Sequence, residues 1–479
     1  MTRQLLNKIV ILLLVLLTAA VLTAPVLSAD LQVGASVTKI TPPRGVPMAG
    51  YYHIRLNEGT HDHLYARSLV LSDGNTRAAI VSCDLIGMPR EIATKARQLI
   101  QERTGIPSDH VMISATHTHT GPVMSPDSLS RASGRAKELG LSYLEELPGM
   151  IADSVATASQ KVKPMRTFSA VVEEPSVSFN RRFLMKDGTV GWNPGKLNPN
   201  IVRPAGPIDP ELATVFFQSD KKTPDAVFTN FPIHLDTVGG LEYSADFPYT
   251  LIQILERVWG QEMTALFTMG TSGNINHIDV SSGAPQKGHE EAARIGAILA
   301  SRVLEAFEAK HPVLATPVQV GRIVVSLSHA PVDPSEADIA KQVVSRYGEP
   351  GAAPFLDFVQ AFKLLDVLNR KTNTRDVEVQ VITLGREIAW VGLPGEIFVE
   401  LGLQIKQYSP FPNTIVTTLA NDSIGYVPDR KGYAQGNYEA VSSRVAPGSG
   451  EQLVEAATSL LIKAYKPLIK YTGPDDDTR

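Results

Sequence analysis

The string Ser114-Ala-Thr-His117-Thr-His119-Thr-Gly-Pro122 follows directly on the apolar run Val111–Ser114. Side chains two apart on an extended backbone point the same way, so His117 and His119 can face one site at a strand's end. Neutral imidazole is a good zinc ligand, and a catalytic zinc needs three or four protein ligands with one position left for water. Two imidazoles alone do not make that set, and an isolated His-x-His serves equally as a polar cap on a strand. Three further segments place ligand-type side chains beside strands. His234 lies in Asn230-Phe-Pro-Ile-His-Leu-Asp236, where an apolar run gives way to a polar turn. Glu396, in Leu393-Pro-Gly-Glu396, follows the strand Ala389–Val391 and reads as the start of a helix. Tyr426 and Tyr438 lie in Asn421-Asp-Ser-Ile-Gly-Tyr426 and Tyr433-Ala-Gln-Gly-Asn-Tyr438-Glu439. Open α/β sheets gather their sites at strand ends, although each of these side chains taken singly also has an ordinary structural use. His61-Asp62-His63 is a second His-x-His that competes for the metal.

The elements that must hold these residues alternate along the chain. Ala66–Leu71, Ala78–Ser82, Val111–Ser114, Phe168–Val172 and Ala226–Thr229 are short, β-branched or alternating runs bounded by turn residues, and read as strands. Glu91–Arg103, Ser142–Lys161, Glu290–Glu308 and Gly450–Ala464 carry apolar residues at helical spacing. The alternation predicts an α/β fold, a layered mixed β-sheet core flanked by helices, in one large catalytic domain over residues 30–472. Gly188–Pro210, dense in Pro, Gly and Asn, reads as a long surface loop. Pro334–Leu368 reads as a largely helical stretch, either an insertion at the edge of the site or plain scaffold, and 473–479 as a polar tail.

Composition bounds the function. With 43% apolar and 20% charged residues over 479 positions, the chain can bury a sizeable core. A net charge of -4 and no basic run exclude the electrostatic footprint of a nucleic-acid binder. Arg3 and Lys8 precede an apolar run from Ile9, and small residues lead to Ala29. That order predicts a signal peptide over 1–29 and a secreted or periplasmic protein, with an uncleaved N-terminal membrane anchor as the alternative. Cys83 is the only cysteine, so no internal disulfide can form.

The motifs together resemble the neutral (non-lysosomal) ceramidases, from about Val33 to about Leu468. The similarity opens with Gly34-Ala-Ser-Val-Thr-Lys-Ile-Thr-Pro42 and Met48-Ala-Gly-Tyr51, and continues with Gly59-Thr-His61 and Val81-Ser-Cys-Asp84. Ser114–Pro122, its most diagnostic string, comes next, then Asn180-Arg181, His234, Gly273-Asn274, Pro394-Gly-Glu396, Tyr426 and Tyr438-Glu439. The resemblance implies His117, His234, Glu396 and Tyr426 as ligands of one Zn2+. It implies His119, Arg181 and Tyr438 as contacts to the substrate amide. Chemically, zinc lowers the pKa of bound water and polarises a carbonyl.

Departures qualify the likeness. The family's Gly-Asp-Val-Ser-Pro-Asn is Gly273-Asn274-Ile-Asn276-His277-Ile here, so Asn276 stands where the family has a serine. A hydroxyl nucleophile is absent at that position, although the Asn276 amide can donate a hydrogen bond to a substrate oxygen. His277 joins the pocket candidates, and Asp84, Asp236 and Asp246 are options for orienting ligand imidazoles. The family's C-terminal immunoglobulin-like domain has no counterpart in the matched region. The expectation is an exported zinc amide hydrolase cleaving the N-acyl bond of ceramide or a related N-acyl lipid or small amide, in possible association with a membrane surface. The alternatives are a zinc hydrolase of another amide or ester, and a non-catalytic ceramidase-like binding protein.

Overall fold

A computed structural model describes residues 31–468. The signal or anchor segment expected over 1–29 and the tail 473–479 lie outside the described residues. Among the described residues, no helix is long and apolar enough to cross a membrane.

Three sheets form the core. The first runs, in spatial order, Val111–Ala115, Arg77–Cys83, Tyr65–Ser72, Gln32–Lys39 and Lys163–Pro164. The second runs Thr264–Met269, Ala226–Phe231, Glu211–Gln218, Arg166–Glu173 and His311–Val313. The third runs Val318–Ser328, Thr374–Leu384, Ile388–Gly392 and Asn413–Thr417. Each sheet is antiparallel except for one parallel pair at its edge: Arg77–Cys83 with Val111–Ala115, Ala226–Phe231 with Thr264–Met269, and Ile388–Gly392 with Asn413–Thr417.

Alternation along these strands divides the core into layers. Leu69, Leu71, Ala78, Ile80 and Met112 face inward with Val215, Phe217, Phe228, Ile388, Trp390 and Ile415. These side chains pack the three sheets on one another around the fully buried Trp390. Their neighbours Val70, Ala79, Val81 and Ile113 face outward, beneath the helices Arg90–Thr104 and Gly134–Gln160. Phe247–Trp259 and His289–Ala309 cover the second sheet; Val399–Tyr408 and Ser449–Tyr465 cover the third. A strand with both faces buried gains from side chains on each, so these runs are apolar almost throughout.

The three parallel pairs deliver their C-terminal ends to one place. Asn421 N donates to Ile113 O, Thr418 N to Met269 O, and the Ser82 hydroxyl to Phe267 O, which ties the three sheets together there. The loops leaving these strands carry His117, His234, Asn276, Glu396 and Tyr426.

Two sequence expectations are corrected. Gly188–Pro210 is not an irregular loop: Val190–Trp192 and Ile201–Pro204 flank Arg182–Met185 in a three-stranded sheet. The strands are short, and the turn glycine Gly188, at φ 84°, belongs to a hairpin. Glu396 does not start a helix. It pairs in register with Tyr426 in a two-residue parallel ladder, and the helix begins at Val399. Residues Pro334–Leu368 are helical over Ala337–Ser345 and Phe355–Leu368, at the tip of the long hairpin formed by Val318–Ser328 and Thr374–Leu384.

Candidate metal centre

His117 leaves the first sheet with φ 77°, a left-handed conformation that is costly for a non-glycine residue and that persists only where surroundings impose it. Its backbone N donates to Leu85 O, and its Nδ1 lies 2.6 Å from Ile86 O. That carbonyl fixes the proton on Nδ1 and turns the Nε2 lone pair into the site. His234, from the second sheet, is oriented in the same sense, with Nδ1 3.4 Å from Ser272 O. His119 is anchored by its backbone N to Leu235 O.

The three Nε2 atoms converge: His117 to His234 is 3.1 Å, His119 to His234 is 3.2 Å and His119 to His117 is 3.4 Å. Glu396 Oε2 lies 3.3 Å from His117 Nε2 and 3.9 Å from His234 Nε2, and it is buried without a hydrogen-bond partner among the described residues. Tyr426, bridged to Glu396 by the backbone ladder, is within hydrogen-bonding reach of the Glu396 carboxylate and of Arg181.

The electrostatics suit a cation. Burial first, and the His117 charge second, hold the His119 imidazole down to about 4; burial likewise holds His234 well below its usual value. Burial would raise the Glu396 carboxyl, but the facing His117 and then His234 bring it to about 2. At neutral pH His119 and His234 therefore offer neutral imidazole lone pairs beside the Glu396 carboxylate. The His117 and His234 Nε2 atoms crowd each other at 3.1 Å, and an orphaned buried carboxylate oxygen is costly. A divalent ion of the zinc type resolves both, and this mixed nitrogen and oxygen donor set fits it.

Around the centre, Glu439 accepts from Arg181 Nε at 2.9 Å and from Arg182 Nη1 at 2.7 Å, all three being buried. The clamp holds the Arg181 guanidinium 5.4 Å from the Tyr426 ring centre. Tyr438 packs on Trp192 at 4.3 Å and on Phe355 at 5.7 Å, so the hairpin-tip helix forms a wall of the site. Burial pushes the Tyr438 hydroxyl well above its usual value, which keeps it a proton donor. Asn276 is fully buried; its Nδ2 donates to Asn193 Oδ1 and its Oδ1 accepts from Ile278 N.

The structure thus brings His117, His119, His234, Glu396 and Tyr426 together, with Arg181 and Tyr438 beside them. Asp84 and Asp246 do not orient the imidazoles. Asp84 pairs with Arg67 at 2.7 Å, and Asp246 caps the helix Phe247–Trp259 while binding the Thr237 and Val238 amides. Backbone carbonyls of Ile86 and Ser272 take that part, and no side-chain pattern signals a carbonyl. His61 stands apart from this cluster: its ring stacks on His289 at 3.6 Å, and Asp62 binds Ser244 and Ala245. Trp192 and Phe355 were not foreseen at the site, because they sit in segments that read as loop and scaffold.

This layered α/β architecture, with its donors at converging strand ends, is the ceramidase fold. The neutral ceramidase from Pseudomonas aeruginosa superposes with a TM-score of 0.72 at 20% identity, over 93% of this chain and 76% of that one. A ceramidase solved in complex with C2 gives 0.70 at 18% identity, over 93% and 77%. Residues 31–237 match the sequence model of the neutral/alkaline non-lysosomal ceramidases, N-terminal, the family that the motifs resemble.

Proposed function

We propose that this chain is an exported zinc-dependent amide hydrolase that cleaves the N-acyl bond of ceramide or a related N-acyl compound. The observation that carries this reading is the convergence of His117, His234 and Glu396, from three different sheets, with an unpartnered carboxylate oxygen aimed at the imidazoles. Export rests on the charged and apolar order of the first residues.

In this reading His117, His234, Glu396 and Tyr426 hold the metal. A bound zinc supplies Lewis-acid polarisation of the acyl carbonyl and of a water molecule. His119, neutral at pH 7 with its Nε2 at the centre, accepts a proton from the water and returns it to the leaving nitrogen. The water oxygen joins the acyl carbon, the C–N bond breaks, and the amine leaves with the added proton. Tyr438, held protonated, donates to the oxygen on which charge develops. Arg181, fixed by Glu439, keeps Tyr426 oriented towards Glu396. Asn276 supplies no nucleophile and supports the wall through Asn193.

The test is removal and return of the metal. Dialysis against a chelator should abolish N-acyl hydrolysis, and about one equivalent of zinc should restore it, with elemental analysis confirming the stoichiometry. Hydrolysis that survives complete metal removal would overturn the reading.

A further inference from the structure

The replaced serine is not the only unusual feature of this wall. Its neighbour His277 is buried, and His277 Nδ1 lies 3.2 Å from Asp236 Oδ1 while Nε2 lies 2.8 Å from Gln286 O. Nε2 thus faces an acceptor, and Nδ1 lies within ion-pair distance of the Asp236 carboxylate, which it braces by proximity rather than by an aligned hydrogen bond. Asp236 is two residues beyond His234, and the intervening Leu235 carbonyl accepts from the His119 backbone N. Asp236 thus sits directly beside the proton-moving His119, and its side chain is 26% exposed. Its Oδ2 has no partner among the described residues, unlike the carboxylates of Asp62 and Glu439, whose oxygens are all bonded. Of the other charged groups around the imidazoles, Arg181 is already neutralised by Glu439, and Glu396 faces His117 and His234.

A carboxylate with an unpartnered oxygen exposed to the cleft attracts cations and hydrogen-bond donors, and repels anions. Amide hydrolysis makes one product of each kind, an acid that ionises negative and an amine that ionises positive. We propose that Asp236, braced by His277, marks the amine side of the cleft and selects N-acyl compounds whose amine part carries a cationic or hydrogen-bond-donating group. This inference rests on the amide-hydrolase reading for its orientation of substrate. It makes Asp236 a specificity-determining residue and His277 its positioning residue.

Two measurements on the zinc-loaded protein test it. In the first, kcat/KM is compared for an N-acyl-diaminoethane and an N-acyl-butylamine of the same acyl chain. The ratio should favour the diamine in the wild type, fall at least about fivefold in Asp236→Asn, and recover in Asp236→Glu. The second is calorimetric binding of hexyltrimethylammonium, which has a fixed charge and no lone pair for the metal, against 1-hexanol. The cation should bind the wild type at least about fivefold better than Asp236→Asn, with hexanol unaffected. Equal ratios and equal cation affinities in wild type and Asp236→Asn would overturn the inference. If the wild type hydrolyses neither amide, the proposed function fails, and the binding measurement still decides whether Asp236 is a cation subsite.

Discussion

At the scale of single residues, metal binding and proton transfer separate. His117 and His234 are held by carbonyls with their Nε2 lone pairs facing Glu396, so His117→Ala or His234→Ala should lose metal and activity together. His119 is tied down only through its backbone, and His119→Ala should retain most of the metal while kcat falls by roughly 10²–10⁴, the range for a general acid–base group. Metal content by elemental analysis, alongside turnover, distinguishes the two outcomes. These side chains were legible in the sequence because each lies next to an apolar strand. The pairing of Asp236 with His277, 41 positions apart, was not, because nothing local in either segment announces its partner.

At the scale of elements, the helices Ala337–Ser345 and Phe355–Leu368 dock through charge as well as through Phe355. Asp366 binds Arg370 at 2.9 Å and Arg444 at 3.0 Å. Burial would raise the Asp366 carboxyl, but Arg444 and then Arg370 outweigh it, so its pKa is depressed in the folded state. A depressed carboxyl contributes stability that is present above its unfolded value and is lost as pH falls through the folded one. The helical tip should therefore loosen below about pH 4, before the sheets do, and Asp366→Asn should loosen it at neutral pH. Hydrogen exchange in 337–368 reads both effects; protection that is indifferent to pH and to the substitution would refute this account. Six core strands, among them those at Ala66–Leu71, Val111–Ser114 and Ala226–Thr229, were readable as short β-branched or alternating runs and four covering helices from their 3.6-residue period, whereas Gln32–Lys39, Glu211–Gln218, Thr264–Met269 and the helix Phe247–Trp259 were not singled out. The small sheet of Arg182–Met185, Val190–Trp192 and Ile201–Pro204 was not, since two- to four-residue strands between Gly, Pro and Asn carry too few positions to show a period. Pro-Gly-Glu misled for a related reason: it is a common helix start, and only the distant ladder to Tyr426 makes Glu396 extended.

At the scale of the molecule, one inner layer holds three sheets together. Trp390 is its largest fully buried side chain and packs edge-on against Phe228 at 5.5 Å. Trp390→Ala should cost about 3–5 kcal/mol, seen as a lower denaturant midpoint, because the neighbours cannot close so large a void. Affinity for the proposed metal should fall too, since Glu396 follows shortly after the strand Ile388–Gly392 that carries Trp390. A variant with unchanged metal affinity despite the lost stability would show that the strand ends are fixed independently of the inner layer.

Because the proposed donors come from all three sheets, with Glu396 and Tyr426 both supplied beyond strands of the third, the order in which the ribosome makes the chain matters. His117 and His234 exist early, but the acid and the phenol that complete the cage arrive only with residues 396 and 426. On the proposed ligand set, an N-terminal piece ending at residue 237 carries the imidazoles of His117, His119 and His234 but neither Glu396 nor Tyr426, so its hold on an ion should be weaker than that of the whole chain. The same proposed ligand set places tight capture of the ion late in maturation, after the final sheet has closed on the other two.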